Sequence, residues 1–144
     1  MLSVRTTANF LRFVAIVQIL TFAVIFMPST WIGAWHYWVG LGVMSDTPVF
    51  RYVLRGASYV HGAIGILLWV MATDIVRYRP LVLTTALVYL IGGPAYYLID
   101  SIAGIPGSWC IFDSAFCFLV GGAMLALCVW SSSETPPQAT PSTV

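Results

Sequence analysis

The sequence has very little charge and no lysine at all. Charged residues make up 8% of its 144 residues, and all six basic residues are arginines. Soluble domains carry about 25% charged residues, so this chain has too little charge to cover a surface that faces water. Its net charge of +1 is also too small to indicate a nucleic-acid partner. Together with a mean hydropathy of +0.92, the shortage of charge predicts a protein that lies in a lipid bilayer.

The sequence also lacks the short motifs of common enzyme classes. It contains no G-x-S-x-G, no H-E-x-x-H, no P-loop and no G-x-G-x-x-G. Its three cysteines, Cys110, Cys117 and Cys128, lie on one face of one predicted helix, where residues seven apart are separated by about 10 Å. They cannot bridge one another, and no C-x-x-C pattern is present. We therefore predict no catalytic residue and no metal site, and we leave open whether the protein is an enzyme.

Four long hydrophobic runs organise the chain. A bilayer core of about 30 Å requires about 20 apolar residues in a helix. The runs cover residues 9–27, 52–73, 80–99 and 109–130. We predict an all-α, polytopic membrane protein, a four-transmembrane-helix antiparallel bundle. The aromatic segment 29–50 is expected to form an extracytoplasmic loop, and the polar, proline-rich residues 131–144 a disordered cytoplasmic tail.

The arginines indicate an orientation. Four of them lie in the N-terminal segment or the connection between the second and third spans, and two lie on the opposite side. The positive-inside rule therefore places both termini in the cytoplasm, with residues 1–8 as a cytoplasmic N-terminus. The first span has no small-x-small cleavage site after it, so we expect it to be retained rather than removed as a signal peptide.

Polar residues recur on the helix faces that are predicted to point inward. Arg55 and His61 flank a glycine-containing face of the second span, and small residues let helices approach closely in lipid. The candidate binding cluster consists of Gln18, Arg55, His61, Tyr96, Asp100 and Asp113. We expect Arg55 to pair with Asp100 or Asp113, because a lone charge at a helix centre costs about 2.5–3.5 kcal/mol. His61 is expected to bond Gln18 or a tyrosine hydroxyl, and the cluster could be architectural or functional.

Three functions are compatible with these features. The first is an accessory or scaffold subunit of a larger membrane complex, or a homo-oligomer, because the chain is small and has no catalytic motif. The second is a binder or carrier of an apolar ligand such as a quinone or lipid, in a pocket lined by His61, Trp69, Tyr96 and Tyr97. The third and least favoured is a haem-bearing redox subunit, since His36 and His61 are the only histidines and His36 lies in the outer loop. No cofactor is predicted, although quinone and haem stay open.

Several local motifs carry a resemblance to a family. They are the GLG…P loop, Arg55 with Tyr59–Val60–His61–Gly62, Asp74 with Arg77–Tyr78–Arg79–Pro80, and Asp100 with Ala103–Gly104–Ile105–Pro106 before Trp109. Residues 36–127 resemble a group of small bacterial inner-membrane proteins that is distantly similar to the DoxX-like four-helix proteins. The resemblance implies a four-helix bundle in the bacterial inner membrane and no established activity. The group has Glu-Gly-Pro where this chain has Phe112–Asp113–Ser114, which puts in doubt any role carried over to Asp113.

Overall fold

The structure, a computed structural model, describes residues 2–133. The described chain forms six helices and no strand: α1 (Leu2–Leu20), α2 (Ala23–Phe26), α3 (Ser29–Trp38), α4 (Pro48–Met71), α5 (Ile75–Ile102) and α6 (Gly107–Ser133). Four stretches are long and apolar enough to cross a bilayer: Val4–Phe26, Pro48–Met71, Ile75–Ile102 and Gly107–Ser131. The predicted all-α fold with four spans is confirmed, and the chain is a multi-pass membrane protein. The predicted disordered tail lies outside the described residues, except that 131–133 belong to α6.

Capping side chains determine where two of the spans begin. The hydroxyl of Thr47 accepts a hydrogen bond from the backbone N–H of Phe50 at 3.2 Å, and Pro48 occupies the first turn of α4. The carboxylate of Asp74 accepts from the backbone N–H of Arg77 at 3.0 Å and caps α5. The prediction that Pro80 starts the third span is therefore wrong, because the helix already begins at the Asp74 cap and Pro80 lies inside it.

A glycine turn joins α5 to α6. Gly104 has a φ of +74°, which only glycine adopts without strain, and it follows the last residues of α5. The backbone N–H of Ile105 donates to the carbonyl of Asp100 at 3.0 Å, as in a Schellman motif. Pro106 then prevents the helix from continuing. The short turn reverses the chain, so α5 and α6 are antiparallel neighbours.

The predicted aromatic loop contains a helix. Residues 29–38 form α3, and its aromatic side chains Trp31, Trp35, Tyr37 and Trp38 are all exposed, which suits the headgroup region of a bilayer. The indole N–H of Trp109 donates to the carbonyl of Val39 at 2.9 Å and ties the loop to the start of α6. We call the side of the bundle where α3 lies the α3 end. The opposite side, where the α4–α5 turn lies, is called the terminal end.

The helices pack in the order α4, α1, α6, α5 around the bundle. The α5–α6 and α1–α4 pairs form the most extensive contacts, α1 also packs on α6, and α4 contacts α5 only sparsely. The core lies where α1, α5 and α6 meet the terminal half of α4, with Leu11, Leu68, Val82 and Met124 fully buried. Although the α4–α5 connection is short, these two helices do not pack together along most of their length. The turn fixes their direction, but α4 packs on α1 instead.

Glycines bring the two closest helix pairs together. A Cβ on Gly65 of α4 would lie 2.8 Å from the carbonyl oxygen of Ala15 in α1. A Cβ on Gly121 of α6 would lie 2.8 Å from the carbonyl oxygen of Ala86 in α5. These distances leave no room for a side chain, so glycine permits the contact. The close approach expected at the glycine-containing face of the second span is confirmed at Gly65.

Candidate functional site

A cavity of about 670 Å³ occupies the space between α4 and α5. We call it the crevice; its walls come from residues 61–71 of α4, 84–96 of α5, 113–117 of α6 and 17–21 of the first span. Leu67 and Val88 on its rim are 62% and 63% exposed. Because these two residues lie within the spans, the crevice opens sideways towards the hydrocarbon of the bilayer.

Three polar side chains form a hydrogen-bonded chain across the crevice wall. The Nδ1–H of His61 donates to Oε1 of Gln18 at 3.0 Å, and Nε2 of Gln18 donates to the hydroxyl of Tyr89 at 2.7 Å. His61 belongs to α4, Gln18 to α1 and Tyr89 to α5, so the chain connects three helices. Gln18 is only 5% exposed. We call these three residues the polar chain.

At its two ends, the polar chain leaves one donor and one acceptor unused. With His61 donating through Nδ1, the lone pair on Nε2 of the neutral ring is available, and Tyr89 keeps its own O–H hydrogen. The described residues give neither group another partner. If the Gln18 amide is rotated by half a turn, its N–H donates to Nδ1 of His61 and its oxygen accepts from the Tyr89 hydroxyl. The Nε2–H of His61 is then the unused donor, and the Tyr89 oxygen is the unused acceptor. In a site without water, each unused group favours a ligand that can bond it.

The first span is broken beside the polar chain. α1 ends at Leu20, and the backbone N–H groups of Thr21 and Phe22 donate to the carbonyls of Gln18 and Ile19, three residues back, as in a 3₁₀ turn. The hydroxyl of Thr21 contacts the carbonyl of Gln18 at 2.6 Å and that of Ser58 in α4 at 2.9 Å. Irregular backbone inside a membrane is tolerated where it is buried in protein or lines a cavity, and Thr21 lines the crevice.

The structure brings four of the six candidate residues to one cavity. Gln18, His61, Tyr96 and Asp113 all line the crevice. The expected hydrogen bond between His61 and Gln18 is present. Asp113 is half-buried at the α3 end of the crevice, and the described residues provide no hydrogen bond to its carboxyl group.

Arg55 and Asp100 lie elsewhere, and the expected ion pairs of Arg55 are not formed. Nη2 of Arg55 reaches the carbonyl of Met27 at 3.5 Å, at the long limit of a hydrogen bond, and its Nε is buried without a partner among the described residues. Oδ2 of Asp100 is likewise buried and unpartnered there. The reason is the helix order: α4 packs on α1 and α2, so Arg55 faces α2, while Asp100 and Asp113 belong to the α5–α6 pair.

Other sequence-based assignments need correction. Trp69 and Tyr97, predicted to line a ligand pocket, are 42% and 50% exposed and do not line the crevice. The sequence reasoning missed Tyr89 as a candidate residue, although it stands in the helical stripe that contains Thr85, Gly92 and Tyr96. The signal was that stripe together with the expectation of a tyrosine partner for His61.

The two histidines are not brought together. His36 lies on α3, where its Nδ1–H donates to the carbonyl of Gly42 at 2.9 Å, and it does not line the crevice. His61 is engaged with Gln18 in the crevice wall. A haem held by both side chains is therefore not favoured by this arrangement.

Comparison of the chain with protein-family models, curated proteins and solved structures found no match. The resemblance to the DoxX-like proteins therefore stays a prediction. The interpretation of the crevice rests on its own geometry and chemistry.

Proposed function

We propose that this protein binds a lipid-soluble molecule in the crevice, with the polar head of the molecule against the polar chain. The observation that carries the proposal is the pair of hydrogen bonds from His61 to Gln18 and from Gln18 to Tyr89. They run along the wall of a cavity whose surface is otherwise mostly apolar. Small-molecule sites commonly combine an apolar lining with a few polar groups that fix orientation.

The size of the crevice supports a small molecule rather than a helix. Ligand sites measure about 300–1,000 Å³, and the crevice volume of about 670 Å³ falls in this range. A bilayer-spanning helix, about 10–12 Å wide and 30 Å long, displaces on the order of 2,500 Å³. A neighbouring helix could cover the opening between α4 and α5, but it could not enter the crevice as a whole.

The hydrogen-bonding groups narrow the ligand class. At its two ends, His61 and Tyr89, the polar chain offers one donor and one acceptor, so it best matches a head group that carries both an acceptor such as a carbonyl and a donor such as a hydroxyl. Quinones supply carbonyls and their reduced forms supply hydroxyls, while glycerolipids supply ester carbonyls beside a hydroxyl. The proposal therefore covers a quinone-like or lipid ligand and assigns no reaction.

The accessory-subunit hypothesis and the cellular location are also proposals. The small size of the chain keeps a scaffold role in a larger complex open, and the family resemblance favours the bacterial inner membrane. The arginine distribution favours cytoplasmic termini. An accessory subunit would use its outer helix faces, whereas a ligand binder would use the crevice.

Native mass spectrometry of the protein extracted gently from its own membranes tests the proposal. We expect one bound molecule per chain, with a mass that organic extraction identifies as a lipid-soluble compound. A protein that carries no added mass and co-purifies with a larger membrane partner would contradict the ligand proposal and support the accessory role.

A further inference from the structure

A second recess of about 560 Å³ opens at the α3 end of the bundle, between α2 and the first turns of α4. Its walls come from Ile25 and residues 48–59, and it shares no lining residue with the crevice. Two arginines one helical turn apart, Arg51 and Arg55, lie in these walls together with Tyr52 and Tyr59. Neither the proposed function nor the polar chain uses this recess.

The positive charge of the recess is only partly balanced. Nε of Arg51 lies 3.5 Å from Oδ1 of Asp46, and no other acid pairs with either arginine among the described residues. Arg55 has a single long contact with the carbonyl of Met27, and its buried Nε has no partner there. Two guanidinium groups against one carboxylate leave one net positive charge facing the recess.

We propose that the recess binds the phosphate group of an anionic ligand, either a phospholipid head group or free phosphate. Residues four apart on a helix are neighbours, so Arg51 and Arg55 can converge on one phosphate. The planar guanidinium fork matches phosphate oxygens, and charge-assisted hydrogen bonds of this type are among the strongest in proteins. The phosphate then supplies the counter-charge that neither Asp100 nor Asp113 provides for Arg55.

The position of the recess suits a lipid head group. Arg55 is seven residues from Pro48, which places it about 10 Å along the helix from the start of α4. The exposed aromatic side chains of α3 lie at the same end of the molecule, where the headgroup layer is expected. Tyr52 and Tyr59 are mostly exposed and can donate their hydroxyls to further phosphate oxygens.

The lipid arm of the test uses nanodiscs that contain equal parts of phosphatidylglycerol and phosphatidylcholine. Native mass spectrometry of the full chain released from them should show preferential retention of phosphatidylglycerol. We expect Arg55→Gln and Arg51→Gln each to weaken this preference by about tenfold, the loss of one charge-assisted contact. Because the Arg51 side chain is partly exposed, Arg51→Gln should fold, and it provides the test if Arg55→Gln does not fold.

Arg79→Gln is the matched control, because it removes the same charge from an exposed position at the terminal end of α5. It should leave the lipid preference unchanged.

The free-phosphate arm titrates delipidated protein in detergent with inorganic phosphate at constant ionic strength, with chloride as the comparison. Phosphate binding that Arg51→Gln and Arg55→Gln weaken identifies free phosphate as the source. No preference for either probe, or equal losses in all three variants, would overturn the proposal.

Discussion

At the scale of single residues, Gln18 is the side chain that joins the parts of the candidate site. Its amide offers both a donor and an acceptor, and it uses one towards Tyr89 and the other towards His61. These partners belong to α4 and α5, which otherwise contact each other only sparsely. Gln18 therefore holds the polar wall of the crevice together from the neighbouring helix α1.

A double-mutant cycle measures this connection. We expect the pair Gln18→Leu and Tyr89→Phe to show a coupling free energy of about 0.6–1.5 kcal/mol, the range for hydrogen bonds between membrane helices. The measurement is reversible unfolding in mixed detergent. Gln18→Leu with Tyr97→Phe is the matched control, because Tyr97 is half exposed outside the crevice and should give a coupling near zero. Equal coupling free energies in both cycles would contradict the proposal that the Gln18 amide stabilises the protein by bonding Tyr89.

One polar contact, between His61 and Gln18, was predicted correctly from the sequence, and the predicted ion pairs of Arg55 were not. The bond between His61 and Gln18 could be expected because two polar groups in apolar spans need partners at similar depth. The pairing of Arg55 with Asp100 or Asp113 satisfied the same rule and is wrong. Depth alone does not say which helices are adjacent, and α4 turns Arg55 towards α2.

At the scale of elements, glycines set the distance between helices. Alanine at Gly65 would place its Cβ 2.8 Å from both the carbonyl oxygen of Ala15 and the amide nitrogen of Ile19. Since these are backbone atoms, α1 and α4 would have to separate. We expect Gly65→Ala to lower the free energy of unfolding by about 1–3 kcal/mol, the usual cost of overpacking.

Gly122→Ala is the control for this prediction. Apart from the adjacent backbone of α6, no atom of the described residues lies within 4 Å of a Cβ at Gly122, so alanine there meets open space. It should leave stability unchanged or raise it by up to about 1 kcal/mol, because alanine favours helix. Thermal unfolding in detergent compares the stability of the two variants. Equal stability would show that α1 and α4 are not packed closely enough at Gly65 to exclude a Cβ.

Hydropathy predicted the transmembrane spans of this chain better than it predicted where the helices begin and end. It located all four spans but placed the start of α5 at Pro80, because it responds to apolar residues and ignores the Asp74 cap. It also treated residues 29–50 as one loop, although residues 29–38 form α3. The break after Leu20 had no clear signal in composition, since the Thr21 hydroxyl that stabilises it bonds the carbonyl of a different helix.

At the scale of the whole molecule, the crevice results from the order of the helices. Periodicity indicates which face of a helix points inward, and the glycine-containing face that it predicted for the second span is the face on which Gly62 and Gly65 are buried. It does not identify the neighbour that this face meets. In the structure Gly62 and Gly65 approach Phe22 and α1, and α5 is left apart from α4. The position of the crevice between α4 and α5 could therefore not be predicted from the sequence, although His61 and Tyr96, two of the residues predicted for a pocket, line it.

The topology of the molecule in the membrane gives a further prediction. Ser45 lies in the connection before α4, and Thr73 lies in the α4–α5 turn at the opposite end. We expect a membrane-impermeant maleimide to label Ser45→Cys on intact spheroplasts and Thr73→Cys only after permeabilisation. Because Cys110, Cys117 and Cys128 are buried, background labelling should be low. The reverse pattern would place the termini outside the cytoplasm.

The most direct test of the account is whether filling the crevice removes its ligand. Gly92 lines the crevice, and apart from the adjacent backbone of α5 the nearest described atoms to a Cβ there are 3.8 Å away or more, so a Cβ fits and the rest of the side chain of Gly92→Leu would extend into ligand space. Gly122→Leu adds the same side chain to α6 outside the crevice. Native mass spectrometry of both variants, extracted from host membranes like the wild type, should show the bound molecule lost from Gly92→Leu and retained by Gly122→Leu. Equal occupancy in the two variants would mean that the crevice is not where the ligand binds.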